Sequence, residues 1–189
     1  MKPTVKRTLI IVIIIAIAIA AGFCVDTVWS LLEKNTHPND YSDIVEKYAA
    51  EYNIPPEVIF AVIKTESNFD PNARSSAGAL GLMQMTPIAL KDVDPEEKIK
   101  FEDLTDPDLN IRCGTCYLSI LYRAFDYNWH NAIAAYNGGW GRIGKLLENP
   151  DNVDSEGNLI YFPPELQETR SYVFKVKKAI DTYKELYAK

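Results

Sequence analysis

The stretch KTESNFDPNARSSAGALGLMQMTP (residues 64–87) decides how the rest of the chain is interpreted. It follows the apolar run PPEVIFAVI (55–63), and Glu66 places a carboxyl group where that run ends. Glu66 comes four residues after Val62 and seven after Ile59, so all three share one side of a helix. A carboxyl group on an apolar face is partly desolvated, which raises its pKa and suits a general acid at neutral pH. The spacing alone favours a structural alternative, in which the acid pairs with lysine or arginine or points outward past the helix end.

Small residues fill the segment after this acid. The sequence SSAGALG (75–81) permits close approach of backbone, and GLMQ (81–84) then supplies the amide of Gln84, which has both donors and acceptors. Such a wall suits a sugar. The alternative interpretation is a tight turn between helices with an ordinary polar glutamine.

Helical spacing accounts for most of the remaining chain. Apolar side chains follow helical periodicity in a first helix (Ile44, Val45, Tyr48, Ala49, Tyr52), in a helix opened by Asp106-Pro107 (Leu109, Cys113, Cys116, Tyr117, Ile120, Leu121, Ala124) and in a closing helix (Tyr172, Val173, Val176, Ile180, Tyr183, Tyr187). Pro55-Pro56-Glu57 predicts the start of a central helix, and Asn137-Gly138-Gly139 predicts the end of a short one. Residues 88–105 are acidic and weakly patterned, which indicates a loop or short helix. No alternating strand pattern is present, so the sequence predicts a mainly α domain from Tyr41 onward.

The N-terminal part has a different character. Leu9–Val25 is an unbroken apolar run, and Lys2, Lys6 and Arg7 precede it. Since about 20 apolar residues cross a membrane, we predict an anchor at 1–31, a linker at 32–40 and a domain at 41–189. The basic residues before the span place the domain on the extracytoplasmic side. A cleaved signal peptide is the alternative, but its small-x-small site, Ala18-Ile19-Ala20, lies inside the run. Cys24 follows bulky Phe23, a poor context for lipidation.

Charge and cysteine content exclude several classes of function. All 26 acids but only 17 of the 20 lysines and arginines follow Val25, so the outer part has a formal charge of −9. A nucleic-acid partner is therefore not expected. Cys113 and Cys116 form a C-x-x-C pair without a second pair or a nearby histidine, so we expect no metal site and no cofactor. Both lie on the apolar stripe of their helix, so we expect buried free thiols; a disulfide is the alternative, although a pair at i and i+3 of a regular helix is awkward.

Several motifs in order resemble one family. They are Glu66-Ser67, the Ser75…Gly78-Ala79…Gly81-Leu82-Met83-Gln84…Pro87 run, Ala135-Tyr136-Asn137-Gly138-Gly139 and Glu168-Thr169-Arg170-Ser171-Tyr172-Val173. Leu104, Asn110-Ile111, Gly114 and Tyr117-Leu118 fit between them. Each motif is weak alone, but their order and spacing are specific. The segment from Tyr41 to Lys184 resembles the catalytic domain of the soluble lytic transglycosylases (SLT), which has a lysozyme-like (goose-type/SLT) fold.

The resemblance implies a peptidoglycan lytic transglycosylase, which cleaves the β-1,4 bond between N-acetylmuramic acid and N-acetylglucosamine and leaves a 1,6-anhydro ring. It implies Glu66 as the one catalytic acid and base, and peptidoglycan glycan strands as the partner. It also implies a set of substrate-binding residues: Ser75, Met83, Gln84, Tyr136, Asn137, Glu168 and Tyr172. Each of these also has a structural interpretation, such as core packing for Met83 and Tyr172 or a helix C-cap for Asn137.

Two rival functions remain. The first is a muramidase of the same fold that uses water, and the second is a glycan-binding or scaffolding protein without activity. The presence of Glu66 argues against the second.

Overall fold

The computed structural model describes residues 12–13, 15, 17–25, 27–28, 32 and 36–187. The chain divides into two compact units, Met1–Pro38 and Asn39–Lys189. In the first unit, residues 17–25 are helical and their side chains are exposed. Among the residues that are described, no helix is both long and apolar enough to cross a membrane. The predicted anchor at 1–31 falls partly outside them, since residues 1–11, 14, 16, 26 and 29–31 are not described.

The second unit is helical. Its α-helices are α1 (Ser42–Tyr52), α2 (Pro56–Ser67), α3 (Pro87–Val93), α4 (Pro107–Ala124), α5 (Trp129–Gly138), α6 (Trp140–Leu147) and α7 (Gln167–Tyr187). Short 3-10 turns lie at Phe101–Thr105, Pro150–Asn152 and Pro164–Leu166. In place of strands, the described residues show only isolated bridges, Arg74↔Leu80, Leu80↔Met85 and Val153↔Leu159. The predicted mainly α class is therefore confirmed for this part of the chain.

Helix α2 is the centre of the core, as its sequence predicts. Pro56 occupies the first turn, where a missing N–H costs nothing, and the six residues Val58–Ile63 are all buried. The helix packs against α7 on one side and against α1 on another. It ends at Ser67 and is capped by Asn68, which has a left-handed conformation (φ 51°) and donates its N–H to the Lys64 carbonyl. Glu66 is thus held in the last turn of a helix that is fixed by packing.

A loop after α2 is tied down by one buried asparagine. Asn110 of α4 has no exposed surface; its Nδ2 donates to the carbonyls of Leu80 (3.0 Å) and Leu104 (2.8 Å), and its Oδ1 accepts from the Met83 N–H (2.8 Å). Gly81, with φ +81°, lies against this side chain, where any added Cβ would collide with it. The loop therefore has a fixed position relative to α4, although it lacks regular secondary structure.

The other helix predictions agree with the structure. Asp106 caps α4 by accepting from the Leu109 N–H (2.9 Å), and the short helix α5 ends at Gly138. The acidic segment 88–105 contains all of α3 except Pro87, and one 3-10 turn. Cys113 and Cys116 are free thiols; the first is buried and the second half-buried.

Candidate active site

Glu66 is the group around which the candidate site is built. Its side chain is half-buried beside the buried apolar residues of α2, and this desolvation raises its pKa from 4.5 to about 7. Desolvation disfavours the charged form, which explains the direction of the shift. A carboxyl group with a pKa near 7 is present in both protonation states at neutral pH, so it can donate a proton and later accept one.

Two residues of α7 act on this carboxyl group. The Tyr172 hydroxyl lies near it and favours its ionised form, which partly offsets the effect of burial on the Glu66 pKa. Glu168, one turn earlier on α7, has the opposite effect because its negative charge raises that pKa further. Tyr172 is buried and Glu168 is exposed in the first turn of the helix. The packing of α7 on α2 therefore brings together three of the residues that the sequence predicts.

The Tyr172 hydroxyl is unusual among the buried polar groups of the described residues. It has no hydrogen-bond partner of ordinary geometry there. Burial and the nearby charge of Glu66 hold the Tyr172 pKa well above its ordinary value, so the hydroxyl stays protonated. A protonated hydroxyl can only donate to the Glu66 carboxylate, and it can strengthen that contact when the carboxyl group ionises.

Tyr136 connects α5 to the loop at 80–85. Its hydroxyl donates to the Met83 carbonyl (2.8 Å) and lies 3.8 Å from the Met85 sulfur. Its ring is half-buried and tilted against Tyr117, with the ring centroids 5.5 Å apart. The charge of Glu66 helps to raise the Tyr136 pKa, after the larger effect of burial, which places this ring in the neighbourhood of the carboxyl group.

The Met83 side chain lies in the core, with no exposed surface, against Gly114 of α4. An added Cβ at Gly114 would overlap with Met83, so the close contact between the loop and α4 requires glycine there. The side chain of Met83 thus packs the loop against α4. Its predicted contact with a sugar stays a prediction.

The two predicted loop residues Gln84 and Ser75 differ in what they offer. Gln84 has a left-handed backbone (φ 46°), and its Nε2 donates to the carbonyls of Ala73 and Gly81, both at 2.9 Å. These two bonds use both donors of the side chain and leave its carbonyl oxygen as the available group. Ser75 is exposed, and its hydroxyl oxygen accepts from the Ala79 N–H (2.9 Å). No hydrogen bond in the described residues links Ser75 to Glu66.

Asn137 offers hydrogen-bond donors, whereas Gln84 offers an acceptor. Its Oδ1 accepts from the hydroxyl of buried Thr169 (2.8 Å), so its NH2 group is turned away and donates to no other described residue. Thr169 also lies against Gly138, at the distance where an added Cβ would touch it. The α5–α7 contact thus orients the Asn137 side chain, which is exposed.

Asn110 and Thr169 are the positioning residues that sequence reasoning did not assign. Both are polar residues inside a matching family motif, but their partners lie far away in sequence, at 80–104 and at 137. A polar residue on the buried stripe of a helix is the one signal that points to such a role. Within the described residues, no group of three or more His, Cys, Asp or Glu side chains is arranged to hold a metal.

Comparison with known proteins identifies the family. The model of the family described as "Transglycosylase SLT domain" matches residues 43–158, which is more than half of the chain. The chain therefore belongs to the transglycosylase SLT domain family, and the resemblance seen in the sequence is confirmed.

Two relatives and two solved structures show the extent of the likeness. The soluble lytic murein transglycosylase of Escherichia coli (strain K12) is 34% identical over 160 residues, which is 82% of this chain and 24% of that protein. Membrane-bound lytic murein transglycosylase C of Yersinia pestis (strain Pestoides F) is 38% identical over 136 residues, 64% of this chain and 37% of that protein. The crystal structure of the 70-kDa soluble lytic transglycosylase of E. coli has a TM-score of 0.74 at 30% identity, covering 82% of this chain and 26% of its own. An inactive variant of the lytic transglycosylase Slt of Pseudomonas aeruginosa, in which glutamine replaces a glutamate, has a TM-score of 0.69 at 32% identity, covering 80% and 25%.

The chain spans about a quarter of the length of the E. coli relative and just over a third of the Yersinia relative. The similarity therefore concerns the helical unit that contains Glu66.

Proposed function

We propose that the protein is a peptidoglycan lytic transglycosylase that cleaves the β-1,4 bond between N-acetylmuramic acid and N-acetylglucosamine without consuming water. One observation carries the proposal: within a transglycosylase SLT domain, burial gives Glu66 a pKa of about 7. The relatives named lytic murein transglycosylases support it. The inactive variant of the P. aeruginosa enzyme supports a glutamate as the essential group, because glutamine is similar in size but lacks an acidic proton.

Glu66 serves in turn as acid and base in this mechanism. The protonated carboxyl group donates its proton to the glycosidic oxygen as the bond from that oxygen to the muramyl anomeric carbon breaks. The resulting carboxylate then accepts the proton of the muramyl 6-hydroxyl as its oxygen attacks the same carbon. The new bond closes a 1,6-anhydro ring, and Glu66 ends in its starting state. The Tyr172 hydroxyl donates to the carboxylate in the intermediate stage, when Glu66 carries its charge.

The surroundings of Glu66 favour an internal nucleophile over water. A hydrolytic glycosidase uses a second carboxylate, as nucleophile at about 5 Å or as a base for water at about 6.5–9.5 Å. Asp70 is exposed, and its Oδ1 accepts from the Asn72 N–H (2.9 Å) in a local turn. Glu168 is exposed in the first turn of α7, where an acid also suits the helix dipole. A hydroxyl that belongs to the substrate needs neither, since its effective molarity reaches ~10⁵ M or more.

Substrate binding follows from the two oriented amides. Gln84 offers an acceptor and Asn137 offers donors, which together match the N–H and C=O of an N-acetyl group. Tyr136 contributes part of a ring face to the same region, and Ser75 contributes an exposed hydroxyl. Met83 fixes the loop between them.

The N-terminal segment anchors this domain (residues 41–189) to the membrane, with the domain on the extracytoplasmic side. Lys2, Lys6 and Arg7 precede the apolar run, and described side chains within it, such as Ile17 (62% exposed) and Phe23 (70% exposed), have little cover from protein. The Yersinia relative is named as membrane-bound. Fractionation of cells tests the anchor: we expect the full chain in the membrane fraction, and a mature N-terminus near Ala20 or Cys24 would contradict it.

The products of digestion test the proposed reaction. We expect muropeptides with 1,6-anhydro-muramic ends, which resist borohydride and are one water lighter than hydrolytic products. The measurement is mass spectrometry of purified peptidoglycan digested in ¹⁸O-labelled water. Reducible ends that carry the label would identify a muramidase instead, and intact peptidoglycan would identify a binding protein.

A further inference from the structure

A separate cavity lies at the other end of the α2–α7 pair. It has a volume of about 400 Å³, and charged side chains of both helices line it: Glu57 from α2, and Lys177, Asp181 and Lys184 from α7. Side chains of α5 and of the 156–158 loop complete the wall. Neither the proposed reaction nor the residues predicted for substrate binding use any of these groups.

Helical geometry separates this cavity from the Glu66 site. Glu57 and Glu66 are nine residues apart on α2, which is two and a half turns, so they lie on opposite faces and ~13 Å apart along the axis. Lys177 follows Glu168 by the same interval on α7. Each helix thus presents one group to the Glu66 site and another, on its opposite face, to the second cavity.

The charged groups of the cavity do not neutralise one another. The ion pairs of the described residues are Lys47–Asp108, Arg74–Glu102, Lys91–Glu97 and Lys98–Glu96. None of them includes a residue that lines this cavity. Two ammonium groups and the carboxylates of Glu57, Glu156 and Asp181 are therefore available to a ligand that carries charges of both signs.

The wall opposite α7 is held by local contacts. Asn128 Nδ2 donates to Asn158 Oδ1 (3.1 Å), and His130 Nε2 lies 2.9 Å from the Leu159 carbonyl. The Trp129 ring stacks on Tyr122, with ring centroids 3.9 Å apart. A cavity whose wall is already ordered loses little conformational freedom when a ligand binds.

We propose that this cavity is a second binding site for the substrate, which takes a zwitterionic stem peptide of peptidoglycan. The inference rests on the proposed function, since it assigns the peptide part of the same polymer. Lys177 and Lys184 bind peptide carboxylates, and Glu57 and Asp181 bind the free ammonium group of the diamino acid. An uncharged glycan would leave these charged side chains, Glu156 included, without ion pairs, so the charges select the peptide.

The site has room for an extended peptide. Glu57 and Lys184 also line a neighbouring cavity of about 710 Å³, which continues past them to Phe60 of α2. Four extended residues span about 13 Å, so a stem peptide can occupy one cavity and enter the next. Because the site faces away from Glu66, it holds a stem peptide other than the one beside the cleaved bond. Binding at two sites raises the effective concentration of the enzyme on cross-linked peptidoglycan.

Binding of the peptide alone is the direct test. The full chain carrying Glu66→Gln is titrated with the tetrapeptide L-Ala-γ-D-Glu-meso-diaminopimelyl-D-Ala, free of sugar, by calorimetry. We expect saturable binding, weakened about five- to tenfold by the double substitution Lys177→Ala and Asp181→Ala. Lys178→Ala removes an exposed charge of α7 that does not line the cavity, and it is the matched control. Thermal unfolding verifies that each variant is folded.

Three outcomes would overturn the inference: no saturable binding of the tetrapeptide, equal binding by the double variant, or binding of an N-acetylglucosamine oligomer that the double substitution weakens to the same extent. Digestion of peptide-bearing peptidoglycan and of peptide-free glycan strands tests this inference separately from the proposed function. The double variant should show a lower ratio of the rate on peptide-bearing peptidoglycan to the rate on peptide-free glycan strands. Cleavage of peptide-free strands by the unaltered chain reports the transglycosylase reaction by itself, so either idea can fail while the other stands.

Discussion

Two polar regions of the helical unit, Asn110 with its partners and Glu66 with Tyr172, differ in how fully their hydrogen-bonding groups are satisfied. Asn110 has no exposed surface and makes three hydrogen bonds of 2.8–3.0 Å to backbone groups. Tyr172 is buried and Glu66 is half-buried, but the Tyr172 hydroxyl has no partner of ordinary geometry in the described residues, and the Glu66 pKa is raised to about 7. The first region stabilises the fold. The second keeps the Glu66 carboxyl group partly desolvated and protonated near neutral pH, so that it can transfer a proton to the substrate.

The largest expected effect is on the reactive region. Glu66→Gln should lower the rate of peptidoglycan cleavage about 10²–10⁴-fold, because the amide cannot donate or accept the proton. Clearing of purified cell walls measures this rate. Glu185→Gln, at an exposed position of α7, is the matched control and should clear walls like the unaltered protein. A Glu66→Gln protein with nearly normal activity would remove Glu66 from the mechanism.

A substitution at Asn110 should lower the stability of the fold. Asn110→Ala leaves the Met83 N–H and the carbonyls of Leu80 and Leu104 without their partner, which should lower the free energy of unfolding by about 3 kcal/mol. Denaturant unfolding of the purified variant measures this loss. Asn72→Ala, at an exposed position, should change stability by less than about 0.5 kcal/mol. If Asn110→Ala lowered the free energy of unfolding no more than Asn72→Ala does, the Asn110 hydrogen bonds would add nothing to the stability of the fold.

The third prediction concerns how stability depends on pH. Because the folded pKa of Glu66 is about 7 and its ordinary value is 4.5, the folded state favours the protonated carboxyl group. Its contribution to stability is complete below pH 4.5 and is lost as pH rises through 7. Between these two pH values the unaltered protein should therefore lose about 3 kcal/mol of unfolding free energy relative to Glu66→Gln, which does not titrate. Thermal or urea unfolding at pH 4.5 and pH 8 measures this loss, and a constant difference would contradict it.

The two regions also show which structural features could be predicted from the sequence and which could not. The helices follow from local patterns, such as the Pro55-Pro56-Glu57 start and the apolar run that ends at Glu66, so periodicity is enough to place them. The burial of Glu66 follows from the same run. Its neighbours on α7 depend on how two helices pack, and only the family resemblance pointed to Tyr172.

Side-chain orientation was beyond the reach of the sequence. The amide of Gln84 suits a sugar by its chemistry, but its donors face Ala73 and Gly81, so only its oxygen remains available. Asn110 matched a family motif without a role, because its partners lie between 6 and 30 residues away along the chain. Such bonds depend on the tertiary arrangement of loop and helix, which no local pattern encodes.

The central claim is that burial raises the pKa of Glu66 enough for it to act as a general acid at neutral pH. A direct titration of its carboxyl group tests this claim. Glutamate side-chain carboxyl carbons are labelled with ¹³C in the full chain, and their NMR shifts are followed from pH 3 to pH 9. The signal that is absent from the Glu66→Gln variant belongs to Glu66. We predict that it titrates near pH 7, and that Tyr172→Phe moves its midpoint higher because the hydroxyl favours the ionised form. A midpoint near the ordinary value of 4.5 would contradict the account, since Glu66 would then be ionised at neutral pH and unable to protonate the leaving oxygen.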